Sequence, residues 1–406
     1  MKKVVLAAVA GVFISLSSQS SGQGQFPLKY REFTEDRSPL RMWATQCLRM
    51  APARSLPTSL RIDAPCFRAT ICAKEILLAL DSSNPRAMVL YADANADGNL
   101  SDEKPLPGHK YDEQRTRFGP VSIALPGSPG GVAPRVVFEA LAREHLHIMP
   151  AGFVSGEIRL NGESYVVAVV DRNLNGRYDD LLPSPAPVPA ETPARGASLA
   201  PRPEQNADIL GIDFNRNGTF EDYPEIWPLS KMLRIDNVYY GFQILSDGSA
   251  IRLQKITPPL GTLDLGCRDA EMAVWSDVCC QAVSGAGPCP VPAGKYTANE
   301  CRLVRTDDAG KKWVLKSSTI PGGVEHFDIA PGKPVSFKMG TPLTAKITAP
   351  QGAIGYSARI SATILGQAGE EYSAQAEVEG EQAKPPTVKI LDEAGKVLAT
   401  GSFEFG

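Results

Sequence analysis

The sequence predicts an all-β protein in which a large loop-rich β domain is followed by one or two small β-sandwiches. Three observations predict this class. Short β-branched or aromatic segments recur along the chain, mostly with turn residues close by, as strands require. No long apolar stripe at helical spacing competes with them. The 406 residues include 36 Gly and 34 Pro, so turns are frequent, and the length suits about two to four domains.

The strand candidates are spread over the chain and are short. The clearest of them before the C-terminal third cover residues 136–138, 165–170, 239–242 and 250–253. Residues 73–80 and 138–144 are the only helix candidates, and both suit strands equally well. We therefore expect sheets throughout.

The first residues have the pattern of a secretory signal peptide, which we assign to residues 1–24. Lys2 and Lys3 form a positive start, and Val4 to Leu16 is an apolar run too short to span a bilayer. No later stretch is long and apolar enough to cross a membrane. We therefore expect a soluble protein that is secreted, periplasmic or associated with the cell envelope.

An exported chain with an even number of cysteines is expected to form disulfide bonds. The neighbours Cys279 and Cys280 would then pair with different partners. A zinc site within the group from Cys267 to Cys301 is the alternative, but its spacing contains no Cys-x-x-Cys pair. The eight cysteines are Cys47, Cys66, Cys72, Cys267, Cys279, Cys280, Cys289 and Cys301.

The charge balance argues against a nucleic-acid partner. The formal net charge is −3 over 406 residues. No Lys- or Arg-rich run is present, and such a run is what binding to phosphates requires.

Composition changes along the chain predict its domain organisation. Residues 25–260 form the loop-rich domain, and the Pro- and Ala-rich stretch 183–205 interrupts it as an exposed insertion. Residues 261–341 resemble the small β-sandwiches of the carboxypeptidase-regulatory or transthyretin-like type, because a Pro-Ala-Gly-Lys-Tyr turn opens a strand there. Residues 342–406 alternate like an immunoglobulin-like sandwich and end in a hairpin. One continuous β domain from residue 262 onwards is the alternative.

Three stretches repeat the pattern Asp-x-Asn-x-(Asp/Asn)-Gly, each followed by an acidic cluster. They begin at Asp93 (loop 1), Asp171 (loop 2) and Asp213 (loop 3), and each follows an apolar strand. Side-chain oxygens at positions 1, 3 and 5 can point at one centre, and Gly at position 6 permits the sharp turn. This is the ligand spacing of a calcium loop.

The loops differ from a helical EF-hand because their incoming flank is extended. The acidic residues also come early: the ninth position supplies Asp179 in loop 2 and Glu221 in loop 3, whereas loop 1 has Ser101, which would act through water. The twelfth position, where an EF-hand has a bidentate Glu, holds Lys104, Leu182 and Pro224.

The predicted cofactor is Ca²⁺, which prefers hard oxygen ligands. With few carboxylates per loop, we expect weak sites with dissociation constants of about 10⁻⁴–10⁻³ M, as in extracellular modules. The alternative is that the Asn-Gly and Asp-Gly pairs are simple hairpin turns. The candidate ligands occupy positions 1, 3, 5, 7 and 9, the seventh through its backbone carbonyl: Asp93, Asn95, Asp97, Asn99, Ser101, Asp171, Asn173, Asn175, Arg177, Asp179, Asp213, Asn215, Asn217, Thr219 and Glu221.

The strand 162–170, the two loops after it and residues 235–253 resemble a group of secreted β-proteins of environmental bacteria such as Planctomycetes. In those, a strand enters an Asp-x-Asn-x-Asn-Gly-x-(Phe/Tyr)-Asp-Asp loop, and a Gly-Lys-Tyr module and an immunoglobulin-like end follow. The resemblance covers most of the mature chain. It implies an architecture and a bound calcium ion, and it implies neither catalytic residues nor an organic cofactor.

The sequence favours binding over catalysis. It contains no Gly-x-Ser-x-Gly, His-Glu-x-x-His, Walker or dinucleotide motif. His145 and His147 share one strand face, but no third metal ligand is evident. We expect an exported, calcium-binding, non-enzymatic protein that binds a polysaccharide or an envelope protein, or that serves as a structural part of the envelope. The alternative is a secreted polysaccharide hydrolase with a structural calcium ion, which needs two carboxylates beside exposed aromatic residues such as Trp227.

Overall fold

The computed structural model describes residues 23–34, 38–51, 64–124, 134–141, 145–185, 206–221, 224–317, 326–348 and 361–402. Strands make up 57% of the structure and helix 2%, which confirms the all-β class. The predicted signal peptide (1–24) lies outside the described residues except for its last two, which open the first strand. Most of the insertion 183–205 lies outside them as well.

The described elements are numbered in chain order. The first group is β1 (Gln23–Pro27), β2 (Lys29–Glu32), α1 (Pro39–Trp43), β3 (Gln46–Cys47), β4 (Arg49–Ala51), β5 (Cys66–Ile71), β6 (Lys74–Asp81), β7 (Val89–Ala92), β8 (Leu106–Pro107), β9 (His109–Lys110), β10 (Arg115–Ser122), β11 (Arg135–Leu141) and β12 (His145–Pro150). The second group is β13 (Gly152–Leu160), β14 (Glu163–Val170), β15 (Ile209–Ile212), β16 (Ile226–Pro228), β17 (Met232–Ile235), β18 (Val238–Ile244) and β19 (Ala250–Ile256). The third group is β20 (Leu260–Asp264), β21 (Ala270–Trp275), β22 (Gln281–Ser284), β23 (Cys289–Pro292), β24 (Gly294–Thr306), β25 (Lys312–Ser317), β26 (His326–Ile329), β27 (Pro334–Ser336), β28 (Thr344–Thr348), β29 (Ser361–Leu365), β30 (Glu371–Val378), β31 (Glu381–Gln382), β32 (Thr387–Leu391) and β33 (Val397–Ser402).

These strands form three β-sandwiches and a terminal hairpin within the described residues. The first sandwich pairs sheet β4-β5-β6-β7-β8 with sheet β3-β12-β11-β10-β9. The middle sandwich pairs β16-β15-β14-β13-β2 with β1-β19-β18-β17. The third pairs β23-β20-β27 with β22-β21-β24-β25-β30-β29-β28, to which β26 and β31 are attached. The hairpin β32-β33 stands apart.

Each sandwich has its own apolar core, as sheets that bury one face against another require. Phe67 on β5 and Phe138 on β11 belong to the core of the first sandwich. Val167 on β14 and Tyr240 on β18 belong to that of the middle one. The core of the third includes Tyr296, which is fully buried.

The first and middle sandwiches repeat one strand arrangement. Their hairpins β5-β6 and β13-β14 close through two-residue turns in which both residues have positive φ, 46° and 61° at residues 72–73 and 54° and 88° at residues 161–162. Strand register is also repeated. Leu78 pairs with Ala92 in the first sandwich, and Val167 pairs with Ile212 in the middle one. Ala92 precedes loop 1 and Ile212 precedes loop 3, so these two loops leave equivalent strands.

A short helix, α1, covers the outer face of sheet β16-β15-β14-β13-β2 in the middle sandwich. Leu40 and Ala44 are fully buried there against Val170 and Ile209. With only five residues, the helix is too short to show a helical period in the sequence, which is why it was not predicted. No helix in the described part of the chain is long and apolar enough to cross a membrane.

Strand pairing crosses the predicted boundary between residues 341 and 342. Strand β25, before the boundary, pairs with β30, after it. Both belong to one sheet of the third sandwich. The division into a transthyretin-like unit (261–341) and an immunoglobulin-like unit (342–406) stays a prediction.

The disulfide bonds expected from the even cysteine count are absent, and all eight cysteines are free thiols. Cys66 opens β5 and Cys72 follows its end, so about 20 Å of extended chain separate them. A disulfide requires Cα atoms about 4.4–6.8 Å apart. Burial raises the pKa of the Cys279 thiol, and that of the Cys280 thiol to about 12. An even count carries no information about which thiols lie close to one another.

Candidate metal-binding loops

The three loops share one backbone conformation. In each, the fourth and sixth residues have positive φ, which is uncommon for residues other than Gly. The fourth position is occupied by three unrelated side chains, so the Asp and Asn framework, and not this residue, specifies the conformation. The fourth residues have φ of 58°, 58° and 61° and the glycines 81°, 80° and 84°: Ala96, Leu174 and Arg216, then Gly98, Gly176 and Gly218.

The first aspartate of each loop anchors the turn. Asp93 accepts hydrogen bonds from the backbone N–H groups of Asp97 and Gly98, both at 3.0 Å. The equivalent bonds are 3.2 and 2.8 Å at Asp171 and 3.1 and 2.9 Å at Asp213. All three carboxylates are buried. Because each oxygen has a second lone pair, both remain able to contact a cation.

In loop 1 the amide of Asn95 joins two carboxylates. Its Nδ2 donates to Asp97 Oδ2 at 3.0 Å and to Asp102 Oδ2 at 3.3 Å. The remaining candidates act locally, since Asn99 Oδ1 accepts from the backbone N–H and the hydroxyl of Ser101 at 3.0 and 2.8 Å. The structure therefore brings Asn95, Asp97 and Asp102 together and places Asn99 and Ser101 in the supporting turn.

In loop 2 the acidic residue that meets positions 3 and 5 is Asp180. It accepts from Asn173 Nδ2 at 3.0 Å and from Asn175 Nδ2 at 2.6 Å. Asp179, the ninth residue, instead forms a bidentate pair with Arg177, with N···O distances of 3.0 and 2.8 Å. The Arg two residues before Asp179 is the sequence signal that distinguishes the two acids.

In loop 3 the acidic residue that meets positions 3 and 5 is the ninth residue itself. Glu221 Oε1 accepts from Asn215 Nδ2 at 3.1 Å and from Asn217 Nδ2 at 3.0 Å. Asn217 Oδ1 in turn accepts from the backbone N–H and the hydroxyl of Thr219 at 2.8 and 2.7 Å. Loop 3 thus brings Asn215, Asn217 and Glu221 to one point.

In each loop a further carboxylate accepts hydrogen bonds from backbone N–H groups. The three acidic residues that do so, Glu103, Asp208 and Glu225, were not among the predicted ligands. Glu103 accepts from the backbone N–H of the second residue of loop 1 at 2.8 Å. Asp208 accepts from that of the second residue of loop 2 at 3.3 Å. Glu225 accepts from that of the third residue of loop 3 at 3.1 Å and from that of Glu221 at 3.0 Å. Asp208 lies beyond the Pro-rich insertion, so no local pattern connects it with loop 2.

Glu225→Ala is expected to lower the free energy of unfolding by about 1–3 kcal/mol, because two backbone N–H groups of loop 3 lose the buried carboxylate that accepts from them. Glu225 is 2% exposed. Urea unfolding measures the change, and Glu113→Ala, at an exposed position in another loop, is the matched control. Equal stability of the two variants would show that Glu225 does not support the loop.

Two buried carboxyl groups at loop 2, those of Asp171 and Asp208, have raised pKa values. Burial, with the neighbouring charge of Asp180, raises the pKa of Asp171 to about 7. Burial and the charge of Asp171 raise the pKa of Asp208 well above its ordinary value. Buried carboxylates that interact in this way carry full charge only if a counter-charge is present.

The loops lie in separate parts of the fold. The backbone N–H of Asp93 donates to Leu77 O and that of Asp213 to Val166 O, both at 3.0 Å, at equivalent points of the two sandwiches. Loop 2 follows Val170, the end of β14. Because β14 and β15 are antiparallel, loops 2 and 3 lie at opposite ends of this strand pair. They cannot complete a single shared centre.

The donor chemistry of the loops fits a hard cation. Within the described ranges, no group of three or more His, Cys, Asp or Glu side chains is arranged to hold a metal ion. The loops depend on Asn amides as well as carboxylates, and such oxygen donors suit calcium. Comparison with known proteins adds no relative, since no family model, no curated protein and no solved structure matches the chain. The assignment of the loops therefore depends on their own geometry.

Proposed function

We propose that the protein is an exported binding protein that holds calcium in its three loops. One observation supports this above all others. The same backbone conformation and the same pair of hydrogen bonds to a buried first aspartate recur in all three loops. A hairpin turn needs only two suitable central residues, and the additional converging acids and amides have no role in a simple turn.

Export supports calcium as the ion. The predicted signal peptide directs the chain to surroundings where loops of about 10⁻⁴–10⁻³ M affinity serve extracellular modules. In such a protein calcium stabilises the sandwiches, and binding of a polysaccharide or an envelope protein is the activity.

The alternative, a secreted polysaccharide hydrolase, is favoured by a tryptophan-lined cleft with Glu221 and Glu300 in its wall, because glycoside hydrolysis uses two carboxylates. Release of reducing ends from a polysaccharide would identify it.

Thermal unfolding in excess EDTA and in millimolar calcium tests the proposed function. At ten times the dissociation constant, each site is expected to add about 1.4 kcal/mol to the free energy of unfolding, and the melting temperature should rise accordingly. Magnesium at the same concentration is the control ion, since it demands a stricter octahedral shell. An identical melting temperature in EDTA and calcium would contradict calcium binding.

Replacement of the first aspartates assigns the effect to the loops. Asp93→Asn, Asp171→Asn and Asp213→Asn remove the charge and keep one acceptor oxygen, so each should reduce the stabilisation by calcium. Alanine is less suitable, because it also removes the acceptor of two backbone N–H groups and destabilises the loop without calcium. Asp247→Asn, in the turn between β18 and β19, is the matched control. A calcium response that all three loop variants retain would overturn the assignment.

A further inference from the structure

Three of the four tryptophans in the chain line one cleft between the middle and third sandwiches. The cleft has a volume of about 300 Å³. Trp43 ends α1, Trp227 lies on β16 just after loop 3, and Trp275 ends β21. The ring centroids of Trp43 and Trp275 are 5.8 Å apart. The fourth tryptophan, Trp313, lies elsewhere on β25.

The three tryptophans are buried or half-buried, and we call them the floor of the cleft. Trp227, expected from the sequence to be exposed, is 5% exposed, and its Nε1 donates to the carbonyl of Pro224 at 2.6 Å. Trp275 is 8% exposed, and in the described part of the chain its Nε1 has no hydrogen-bond partner. A buried indole N–H usually has a partner. Trp43 is half-buried and offers the most open ring.

The rim of the cleft carries both hydrogen-bond donors and acceptors. Arg302 is paired with Glu271 and Lys316 with Glu377, each at 2.8 Å, so the two cations are already neutralised. The side chains of Asn299 and Glu300 make no hydrogen bond to any described residue. The polar residues of the rim are Glu221, Asn299, Glu300, Arg302 and Lys316.

We propose that this cleft binds a neutral saccharide, and that calcium in loop 3 strengthens the binding. The carboxylates of Glu221 and Glu300 only accept, so the ligand must bring donors, whereas Asn299 also donates and needs an acceptor. Sugar hydroxyls do both, and the C–H faces of sugar rings suit an aromatic floor. A proline-rich peptide brings acceptors but few N–H groups, so it leaves the carboxylates without partners.

Glu221 connects the cleft with loop 3. Its carboxylate receives the amides of Asn215 and Asn217, and its backbone N–H donates to Glu225. An ion in loop 3 would hold this carboxylate in one orientation, which lowers the entropy lost when a ligand binds. The calcium dependence rests on the proposed function of loop 3, whereas the choice of ligand class does not.

Tryptophan fluorescence of the full mature chain tests the proposal. The probes are neutral hexasaccharides of glucose, mannose, galactose and xylose, each titrated in calcium and in EDTA. We expect saturable binding of at least one, tighter in calcium. Trp43→Ala should weaken it by about tenfold or more and leave the calcium-induced rise in melting temperature unchanged. Glu300→Gln, which removes a rim acceptor without touching the floor, should also weaken it, and Trp313→Ala should not.

The outcomes separate the two proposals. Failure of all four hexasaccharides to bind, or unchanged binding by Trp43→Ala and Glu300→Gln, would overturn the saccharide assignment. Capture of a proline-rich peptide in place of the sugars, lost in Trp43→Ala, would overturn it in favour of a polypeptide ligand. Equal affinity in calcium and EDTA would refute the coupling alone. Saccharide binding without any calcium-induced stabilisation would refute the proposed function and support the ligand class.

Discussion

Leu174→Ala is expected to lower the free energy of unfolding by about 2–5 kcal/mol, although the residue is the fourth of a surface loop. Leu174 is 3% exposed and packs into the core of the first sandwich, which also contains Phe67 and Phe138. Its carbonyl accepts from the backbone N–H of Cys72 at 2.7 Å. Loop 2 therefore joins the middle sandwich, to which it belongs, to the first one.

Arg216→Ala is the matched control, because Arg216 occupies the same position in loop 3 with nearly the same φ, 61° against 58°. Its guanidinium pairs with Glu163 at the surface, and an exposed pair contributes at most about 1 kcal/mol. Calorimetry of both variants measures the difference. If Leu174→Ala were no less stable than Arg216→Ala, loop 2 would not join the two sandwiches.

Without calcium, stability is expected to fall as the pH rises, by an amount on the order of 4 kcal/mol. The pKa of Asp171 is about 7 in the folded protein and about 3.9 in an unfolded chain. A carboxyl group whose folded pKa is raised stabilises the protein fully below its unfolded pKa, and this contribution is lost as the pH rises through the folded value. The window therefore runs from about pH 4 to about pH 7.

Calcium is expected to reverse this trend, because a metal ion binds the deprotonated carboxylates and competes with protons. Urea unfolding between about pH 5 and pH 8, in EDTA and in calcium, measures both dependences. Asp208→Asn removes the charge that faces Asp171, and the slope in EDTA should become shallower. A slope that Asp208→Asn leaves unchanged would show that this buried pair does not control the pH dependence.

The turn conformation of the three loops could be predicted from the sequence because the residues that set it are local. Asp at position 1 and Gly at position 6 act within one turn, so spacing alone predicts their arrangement. The supporting acids were not predictable in this way. Asp208 reaches loop 2 from beyond an insertion, so no local spacing connects the two. Arg177 is a local signal that separates Asp179 from Asp180, but only the structure shows that Arg177 pairs with Asp179.

Two other features depend on long-range contacts. The equivalence of loops 1 and 3 appears only in strand register, since the segments that pair around them share a pattern of hydrogen bonds and not a run of identical residues. The cysteine count predicted disulfide bonds that the structure does not contain, because parity says nothing about distance between thiols.

The sequence by itself determined the all-β class and the position of the three loops, since both follow from neighbouring residues along a strand or a turn. Only the tertiary structure decided which acids support the loops, where Leu174 is buried and that Trp43, Trp227 and Trp275 meet in one cleft. The physical reason is that these contacts join residues far apart in the chain. Their proximity is set by how the sandwiches pack, and no local spacing records it.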